Sequence, residues 1–386
     1  MKPLVSILIP AYNAERWIAD TIRSALAQTW ARKEIIIVDD GSCDQTLRVA
    51  RSFTSNTVSV VTQENQGASA ARNKAFQLCQ GDFIQWLDAD DLLASDKITK
   101  QMKAAEECQD KRRLLSSGWG HFMYRPAKTK FVPTALWCDL TPVEWLLRKW
   151  EQNLHMQTAT WLVSRELTEA GGPWDMRLMG DDDGEYFCRV LFASSGIRFV
   201  PGARVYYRIT DSSRWSYVGR SNKKKEAQLL SMRLQIGYLR SFEDNERTRT
   251  ASVKYLQTWF GLFLENRTDL VRELQQLAAT LGGRLEPPQL SWKYSWIQKV
   301  FGWKAAKRAG RYYNRCKSAA VRFWDKILFH VEESNLQIAR RDKSPLVKRS
   351  SVETEVGDLK ELDRMSSGGS GVGCSRQRRR TATKAF

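Results

Sequence analysis

Near the start of the chain, apolar residues fall in short runs separated by stretches with helical spacing. Strand-like runs occupy residues 4–9, 34–38, 58–63 and 82–87. Between them, residues 15–28, 44–53 and 68–79 repeat their apolar positions at the period of an amphipathic helix. This alternation predicts an α/β fold with a mostly parallel, doubly wound sheet. Ser42-Cys43-Asp44-Gln45 has the form of a capping box and predicts a helix start just behind the second strand. Another helix is expected near Ser95, with Ile98 and Met102 turned inward. Beyond residue 115 the pattern is more mixed, with strands predicted at 159–163 and 198–208. Residues 221–282 read as helical.

Composition narrows the picture. Apolar residues make up 42% of the 386 and charged residues 27%, so a sizeable core is expected and wholesale disorder is not. A net charge of +18 favours a polyanionic partner. The seven cysteines form no CxxC pair and read as free thiols, with neither a disulfide frame nor a zinc site. His121, His155 and His330 lie too far apart in sequence to suggest a histidine metal cluster. There is no signal-peptide pattern and no apolar run of about 18 residues, so the expected location is cytoplasmic.

The candidate chemistry lies where the strands end, since open parallel sheets bind ligands at the carboxyl ends of their strands. In order, those ends carry Pro10-Ala11-Tyr12-Asn13, Asp39-Asp40-Gly41-Ser42, Asn65-Gln66-Gly67 running on to Arg72-Asn73, and Asp88-Ala89-Asp90-Asp91. No glycine-rich loop follows the first strand, which disfavours a dinucleotide or P-loop site. An acidic rim repels phosphates unless a divalent cation stands between them. Asp88 and Asp90 supply hard oxygen ligands suited to Mg²⁺ or Mn²⁺. Asp39 or Asp40 can accept a hydrogen bond from a base N–H or a ribose hydroxyl. Arg72 can approach a phosphate or hold the carboxylates in place.

These motifs resemble those of family 2 glycosyltransferases, which have the A-type, Rossmann-like nucleotide-diphospho-sugar transferase fold. The likeness covers roughly residues 4–210. It implies a nucleotide site made by Pro10, Tyr12, Asn13, Asp39, Asp40, Gly67, Arg72 and Asp88, with the metal on Asp90 and Asp88. Gly171-Gly172-Pro173-Trp174-Asp175 is similar to the family's turn before the acceptor site, which puts Trp174 and Asp175 on the acceptor side. Within Gly180-Asp181-Asp182-Asp183-Gly184-Glu185, alignment on Glu185 and Arg189 gives Asp183 the place of the catalytic base and Asp182 that of its neighbour. Acidic residues also suit a helix N-terminus for reasons of charge alone.

The chain departs from the family in places. Cys43 replaces a more usual Thr. The family's His after Tyr-Arg is missing behind Tyr207-Arg208, where Asp211 could substitute. Ser213-Arg214-Trp215 only partly resembles the Gln-x-x-Arg-Trp of processive synthases, and no transmembrane helices follow, so the expected enzyme is non-processive.

Residues 291–330 hold ten Lys or Arg against one acid, Asp325, with aromatic and aliphatic residues at helical spacing. Two readings fit: a helix lying on an anionic membrane surface, or a helix packing its stripe on the catalytic domain. Nucleic acid is disfavoured because no recognised motif accompanies the charge. The expected organisation is a catalytic domain over 1–215, a helical extension over 216–285, the basic aromatic region over 286–331 and a mostly disordered tail over 332–386.

The function expected is inverting, metal-dependent, non-processive transfer of a sugar from a UDP- or GDP-linked donor to a hydroxyl acceptor. That acceptor would be a glycan or a lipid-linked or polysaccharide precursor. The alternatives are a nucleotidyltransferase, or a membrane-surface binding protein with a degenerate transferase domain.

Overall fold

The computed structural model describes residues 2–108, 110–210, 221–264, 267–288 and 295–342. The chain divides into two compact units, Met1–Ser334 and Asn335–Phe386, and every contact discussed below lies within the first. In the second, the described part is a helical stretch reaching Asp342.

The first half alternates as the apolar pattern predicts. Its elements are β1 (Val5–Ala11), α1 (Ile18–Leu26), β2 (Lys33–Asp39), α2 (Thr46–Arg51), β3 (Val58–Thr62), α3 (Ala68–Leu78) and β4 (Phe83–Trp86). Then come β5 (Leu92–Leu93), α4 (Lys97–Cys108), β6 (Arg113–Phe122), α5 (Pro142–Glu151), β7 (Val163–Ser164), α6 (Arg165–Gly171), α7 (Asp182–Ala193) and β8 (Gly196–Arg208). The main sheet has the order β3-β2-β1-β4-β7. β1 to β4 pair in parallel, and β7 closes the edge antiparallel to β4. A second sheet, β5-β8-β6, pairs β6 with β8 in parallel.

Side chains of a strand alternate between sheet faces. On β1, Ile7 and Ile9 therefore join Ile18, Ile22, Ile98 and Met102 in one buried layer, while Leu8 joins Ile36, Val38, Ala71 and Ala75 in the other. Both faces are covered, as a parallel sheet requires.

Three local expectations are corrected. The capping box at Ser42–Gln45 does not form. Asp44 accepts from the Thr46 N–H (2.9 Å) and the Glu15 N–H (3.2 Å), so α2 starts at Thr46 without a side-chain cap. The strand expected over 159–163 is mostly a 3₁₀ turn, Thr158–Thr160, because the Gln157 carbonyl and side chain both capture groups of that turn. The longest strand of its region besides β8, β6, was missed. Its run Leu114-Leu115-Ser116-Ser117-Gly118 carries small polar residues that are nevertheless buried.

Three helices follow: α8 (Asn222–Phe242), α9 (Glu246–Phe260) and α10 (Thr268–Thr280). Their apolar residues, among them Met232, Ile236, Leu256, Phe260 and Leu274, merge with the buried layer that holds Trp150, Trp161 and Tyr186. The last element, α11 (Ser295–Asp342), has non-helical backbone at Gly302 and runs past residue 331, where the basic region was expected to end. Among the described residues, no helix is long and apolar enough to cross a membrane.

Candidate active site

The four strand ends converge as expected, and their geometry separates groups that ligands can reach from groups already engaged in holding the rim. Asn13 takes a left-handed conformation (φ 48°) at the end of β1. Its side chain accepts from the Cys43 N–H at 2.9 Å, and its own N–H donates to Ser42 Oγ at 3.0 Å. Asn13 thus ties the first rim loop to the second. Tyr12 beside it is exposed, and Pro10 is partly buried.

The two aspartates that end β2 differ in role. Both Asp40 oxygens are occupied: the carboxylate accepts from Gln63 Nε2 (2.8 Å), the Gln66 N–H (2.9 Å) and the Gly67 N–H (2.8 Å). Asp40 is therefore the anchor of the 65–67 loop. Gly67 turns that loop into α3 at φ 92°, a conformation that glycine adopts without a Cβ penalty. Asp39 Oδ2 accepts from the Ser42 N–H and the Thr62 hydroxyl, both at 3.2 Å. Its Oδ1 is buried and meets no donor among the described residues. A buried carboxylate oxygen without a donor is costly, and a base or ribose donor would relieve it. Of the two, only Asp39 keeps a carboxylate oxygen without a donor among the described residues.

Arg72 sits at the centre, nearly buried. It donates to Asp88 at 2.8 Å and to Asp182 at 2.6 Å, and its guanidinium lies 4.3 Å from the Trp174 ring centroid. Burial works against its charge, but Asp182 and Asp88 more than compensate and raise its pKa. Of the two roles open to Arg72 in the sequence, the structure places it as the holder of carboxylates.

Trp174 was expected on the acceptor side. Its indole is instead 2% exposed, stacked on Tyr186 at 4.0 Å, so it backs Arg72 and has no open face. The Trp174 backbone is fixed to Asn73 by two hydrogen bonds, of 2.8 and 2.9 Å. Asp175 pairs with the exposed Arg177 at 2.6 Å.

The three successive carboxylates at the start of α7 coexist because each faces a different neighbour. Asp181 takes a left-handed conformation (φ 54°), which aspartate tolerates better than most residues. Its Oδ2 accepts from Ser231 (2.7 Å), Gln235 (2.8 Å), Tyr255 (3.1 Å) and Gln228 (3.2 Å), all on α8 and α9. Asp182 turns to Arg72 and Ser69. Burial pushes its pKa up, Arg72 opposes this, and Asp183 and Asp88 add to the rise. Asp183 faces a cleft, accepting from the Thr158 hydroxyl at 3.4 Å and the Gly184 N–H at 2.9 Å. Glu185, the alignment anchor, is buried and paired with Arg189 at 2.7 Å.

Asp90 lies at the rim, where its carbonyl accepts from Arg208 at 2.8 Å. Asp91 is buried beneath it, bonded to Gln157 and to the Arg208 N–H. Among the described residues, no three His, Cys, Asp or Glu side chains are grouped to hold a metal ion. Asp88 and Asp90 carry hard oxygen donors of the kind that Mg²⁺ and Mn²⁺ take. Mg²⁺ commonly takes one or two protein carboxylates and completes its shell with phosphate and water. Asp211, Ser213, Arg214 and Trp215 lie outside the described residues.

Sequence reasoning missed two features. Asp181 was read only as part of an acidic run, and nothing in its neighbourhood signals partners some fifty residues or more downstream. His121 and His155, distant in sequence, both meet Trp119 edge-on, at 4.7 and 5.5 Å. Desolvation and Lys149 lower the His155 pKa, while Asp183 and Asp181 oppose the shift.

A parallel sheet with a carboxylate rim and an acidic helix start across from it is the arrangement of the A-type nucleotide-diphospho-sugar transferase fold. Residues 6–125 match the family described as "Glycosyl transferase family 2", and over that part the chain is similar to the family 2 glycosyltransferases. It is 43% identical over 105 residues to TuaG of Bacillus subtilis, a glycosyltransferase named for teichuronic acid biosynthesis; the match covers 26% of this chain and 42% of that protein. It is 45% identical over 98 residues to chondroitin synthase of Escherichia coli, covering 25% of this chain and 14% of that one. An uncharacterized glycosyltransferase of Haemophilus influenzae is 41% identical over 103 residues, 26% of this chain and 41% of that protein. The chain thus spans about two-fifths or less of the length of these relatives. The fold is also that of S. aureus TarS residues 1–349 in complex with UDP-GlcNAc. The TM-score there is 0.58 at 17% identity, over 72% of this chain and 80% of that one.

Proposed function

We propose that the chain transfers a sugar from a nucleotide-diphosphate donor to a hydroxyl acceptor, in one inverting and non-processive step aided by a divalent cation. The observation that carries this reading is the division of labour at the start of α7. Asp181 and Asp182 are engaged by neighbouring donors, whereas Asp183 faces a cleft. In this reading Asp183 accepts the proton of the acceptor hydroxyl. That oxygen bonds to the anomeric carbon as the bond from that carbon to the phosphate oxygen breaks, and the nucleoside diphosphate leaves. Asp39 Oδ1 receives a donor from the nucleoside, with Pro10, Tyr12 and Asn13 bordering it. Bound by Asp90 and Asp88, Mn²⁺ or Mg²⁺ would screen the charge of the leaving diphosphate.

The TarS complex with UDP-GlcNAc is a reason to try UDP-sugars first. Relatives named for teichuronic acid and chondroitin synthesis favour a polysaccharide acceptor. Calorimetry with UDP and GDP is the test. Binding is expected with Mn²⁺ and at least tenfold weaker binding in EDTA. Equal affinity in the two buffers would remove the metal from the reading.

The organisation proposed with this function is a catalytic part over 1–215, a helical extension over 216–285 and a basic segment over 286–331 that attaches to the anionic cytoplasmic face of a membrane. Two observations support attachment. Phe301, Tyr312, Tyr313, Phe323 and Trp324 of α11 are each more than half exposed. The acids Asp325 and Glu332 turn to the catalytic part, pairing with Arg125 at 2.8 and 3.0 Å.

A further inference from the structure

The 3₁₀ turn Thr158–Thr160, with Gln157 as its N-cap, touches both acidic motifs of the site. One side of it is clamped. Gln85 of β4 donates to the Ala159 carbonyl at 2.9 Å, and Gln101 of α4 and Ser117 of β6 each donate to the Thr160 carbonyl at 3.0 Å. All three side chains are buried, and so is Lys97, which donates to Gln85 Oε1. Fully buried glutamines are uncommon. These two satisfy backbone carbonyls that the turn itself leaves without a partner.

Gln157 ties the turn to the end of β4. Its side-chain oxygen accepts from the Ala159 N–H at 2.5 Å, and its Nε2 donates to Asp91 Oδ2. The other oxygen of Asp91 accepts the Arg208 N–H at 2.8 Å. The Thr21 hydroxyl meets the Ala89 and Asp91 carbonyls, both at 2.9 Å. Residues 89–91 are thereby pegged on both sides of Asp90 and joined to the turn through one amide. The two threonines of the turn then differ. The Thr160 hydroxyl folds back on the Gln157 carbonyl at 2.6 Å. Among the described residues, the Thr158 hydroxyl takes no part in the turn's own hydrogen bonding. It donates to Asp183 Oδ2 at 3.4 Å, while the Gly184 N–H donates to Asp183 Oδ1 at 2.9 Å.

We propose that the turn is a positioning device for the transfer step: Gln157 registers it against Asp91, and the Thr158 hydroxyl orients the carboxylate of Asp183 relative to the donor rim. The inference rests on the transfer reading above and adds to it the residues that aim the base. Three arguments support it. The first is redundancy. Gln85, Gln101, Ser117 and Gln157 already satisfy the turn, so a hydroxyl at 158 is not needed to fold it. The second is stiffness. Thr158 is 4% exposed and β-branched, so packing and backbone fix the direction of its hydroxyl. The third is geometry. One donor on each oxygen sets the plane of the Asp183 carboxylate and leaves lone pairs on both for a substrate proton. A bond of 3.4 Å is weak, so it contributes direction more than strength. Direction matters here, because a misplacement of about 1 Å can cost about 10²-fold in rate.

The test uses the full chain and follows UDP release from UDP-GlcNAc and other UDP-sugars in Mn²⁺, with and without a panel of p-nitrophenyl glycosides. Thr158→Val keeps the branched shape and removes the hydroxyl, and Thr158→Ser keeps the hydroxyl. Thr158→Val should lower kcat about tenfold, the usual scale for a lost hydrogen bond to a charged group, with donor KM within twofold of wild type. Thr158→Ser should recover most of that loss. Gln157→Leu should lower kcat at least as far, and joining it to Thr158→Val should add less than twofold, because the two residues act in series. Unfolding midpoints accompany each variant, and the Thr158 pair decides the matter if Gln157→Leu does not fold. Turnover of Thr158→Val within twofold of wild type overturns the proposal. So does a Thr158→Ser variant as slow as Thr158→Val, or a double variant whose losses multiply. Asp183→Asn separates this from the reading beneath it. If that variant keeps wild-type turnover, or if the wild type releases no UDP under any of these conditions, the transfer reading itself fails.

Discussion

The two helical regions that follow the catalytic sheet meet it in opposite ways. Helices α8 and α9 reach the site through neutral, buried donors, with four side chains converging on one oxygen of Asp181. Helix α11 meets the sheet domain through partly buried charges: Asp325 and Glu332 pair with Arg125, and the Tyr124 N–H donates to Asp325 at 3.0 Å. Its aromatic residues remain largely exposed. A partly buried carboxylate with buried neutral donors is a strong positional constraint, because removing it leaves several donors unsatisfied at once. An ion pair that keeps contact with water, as Arg125–Glu332 does, contributes less and weakens with salt. The first region is thereby tied to the acidic turn of the site, and the second is the tether proposed above.

The largest expected effect sets the scale for that contrast. Asp183→Asn should retain nucleotide binding and lower turnover by about 10²–10⁴-fold, the usual worth of a general base. Residual turnover above about a tenth of wild type would move the base to Asp182. Asp181→Ala should come next. It touches no proposed substrate position, yet it should destabilise the fold by about 3 kcal/mol and lower kcat with little change in donor KM. Asp181→Asn keeps the left-handed conformation and one acceptor, so it should recover part of the loss. If Asp181→Ala binds donor and turns over like the wild type, α8 and α9 are packing alone.

Smaller effects are expected on the tether. The double variant Asp325→Asn with Glu332→Gln should leave donor hydrolysis within twofold of wild type and should not shift the unfolding midpoint of the catalytic part. A clear drop in that midpoint would make α11 a packing element. The smallest effect should be that of salt on membrane binding. The full chain should float with anionic vesicles more than with neutral ones, and less at 1 M salt, where the Debye length falls from about 10 Å at 0.1 M to about 3 Å. Flotation unchanged by salt would assign attachment to the aromatic residues.

The same contrast marks what the sequence made legible. Strand-end motifs are local: Asp39, Asp40, Gly67, Arg72 and Asp88 follow strands or open helices whose apolar period identifies them, and they arrive on one rim as expected. The residue-by-residue division within the rim was not legible. Whether Asp39 or Asp40 keeps an open oxygen depends on where Gln63, Gln66 and Gly67 point their donors. Trp174 looked available because the turn that carries it resembles an acceptor loop, but stacking against Tyr186 withdraws it. Strand β6 was hidden because its buried serines and glycines carry no hydrophobic signal. The tie from Asp181 to Gln228, Ser231, Gln235 and Tyr255 spans 47 to 74 residues, and no periodicity reports a pairing at that range.

That tie also constrains how such chains can be recombined. A crossover placed between β8 and α8 would look harmless, because it separates a sheet from helices. It would nonetheless split a carboxylate from all four of its donors, and both parental halves would be intact while their hybrid was not. A workable exchange would carry residues 181 to 255 together, so the unit that can be swapped begins at the acidic turn, inside what the motifs mark as the catalytic domain.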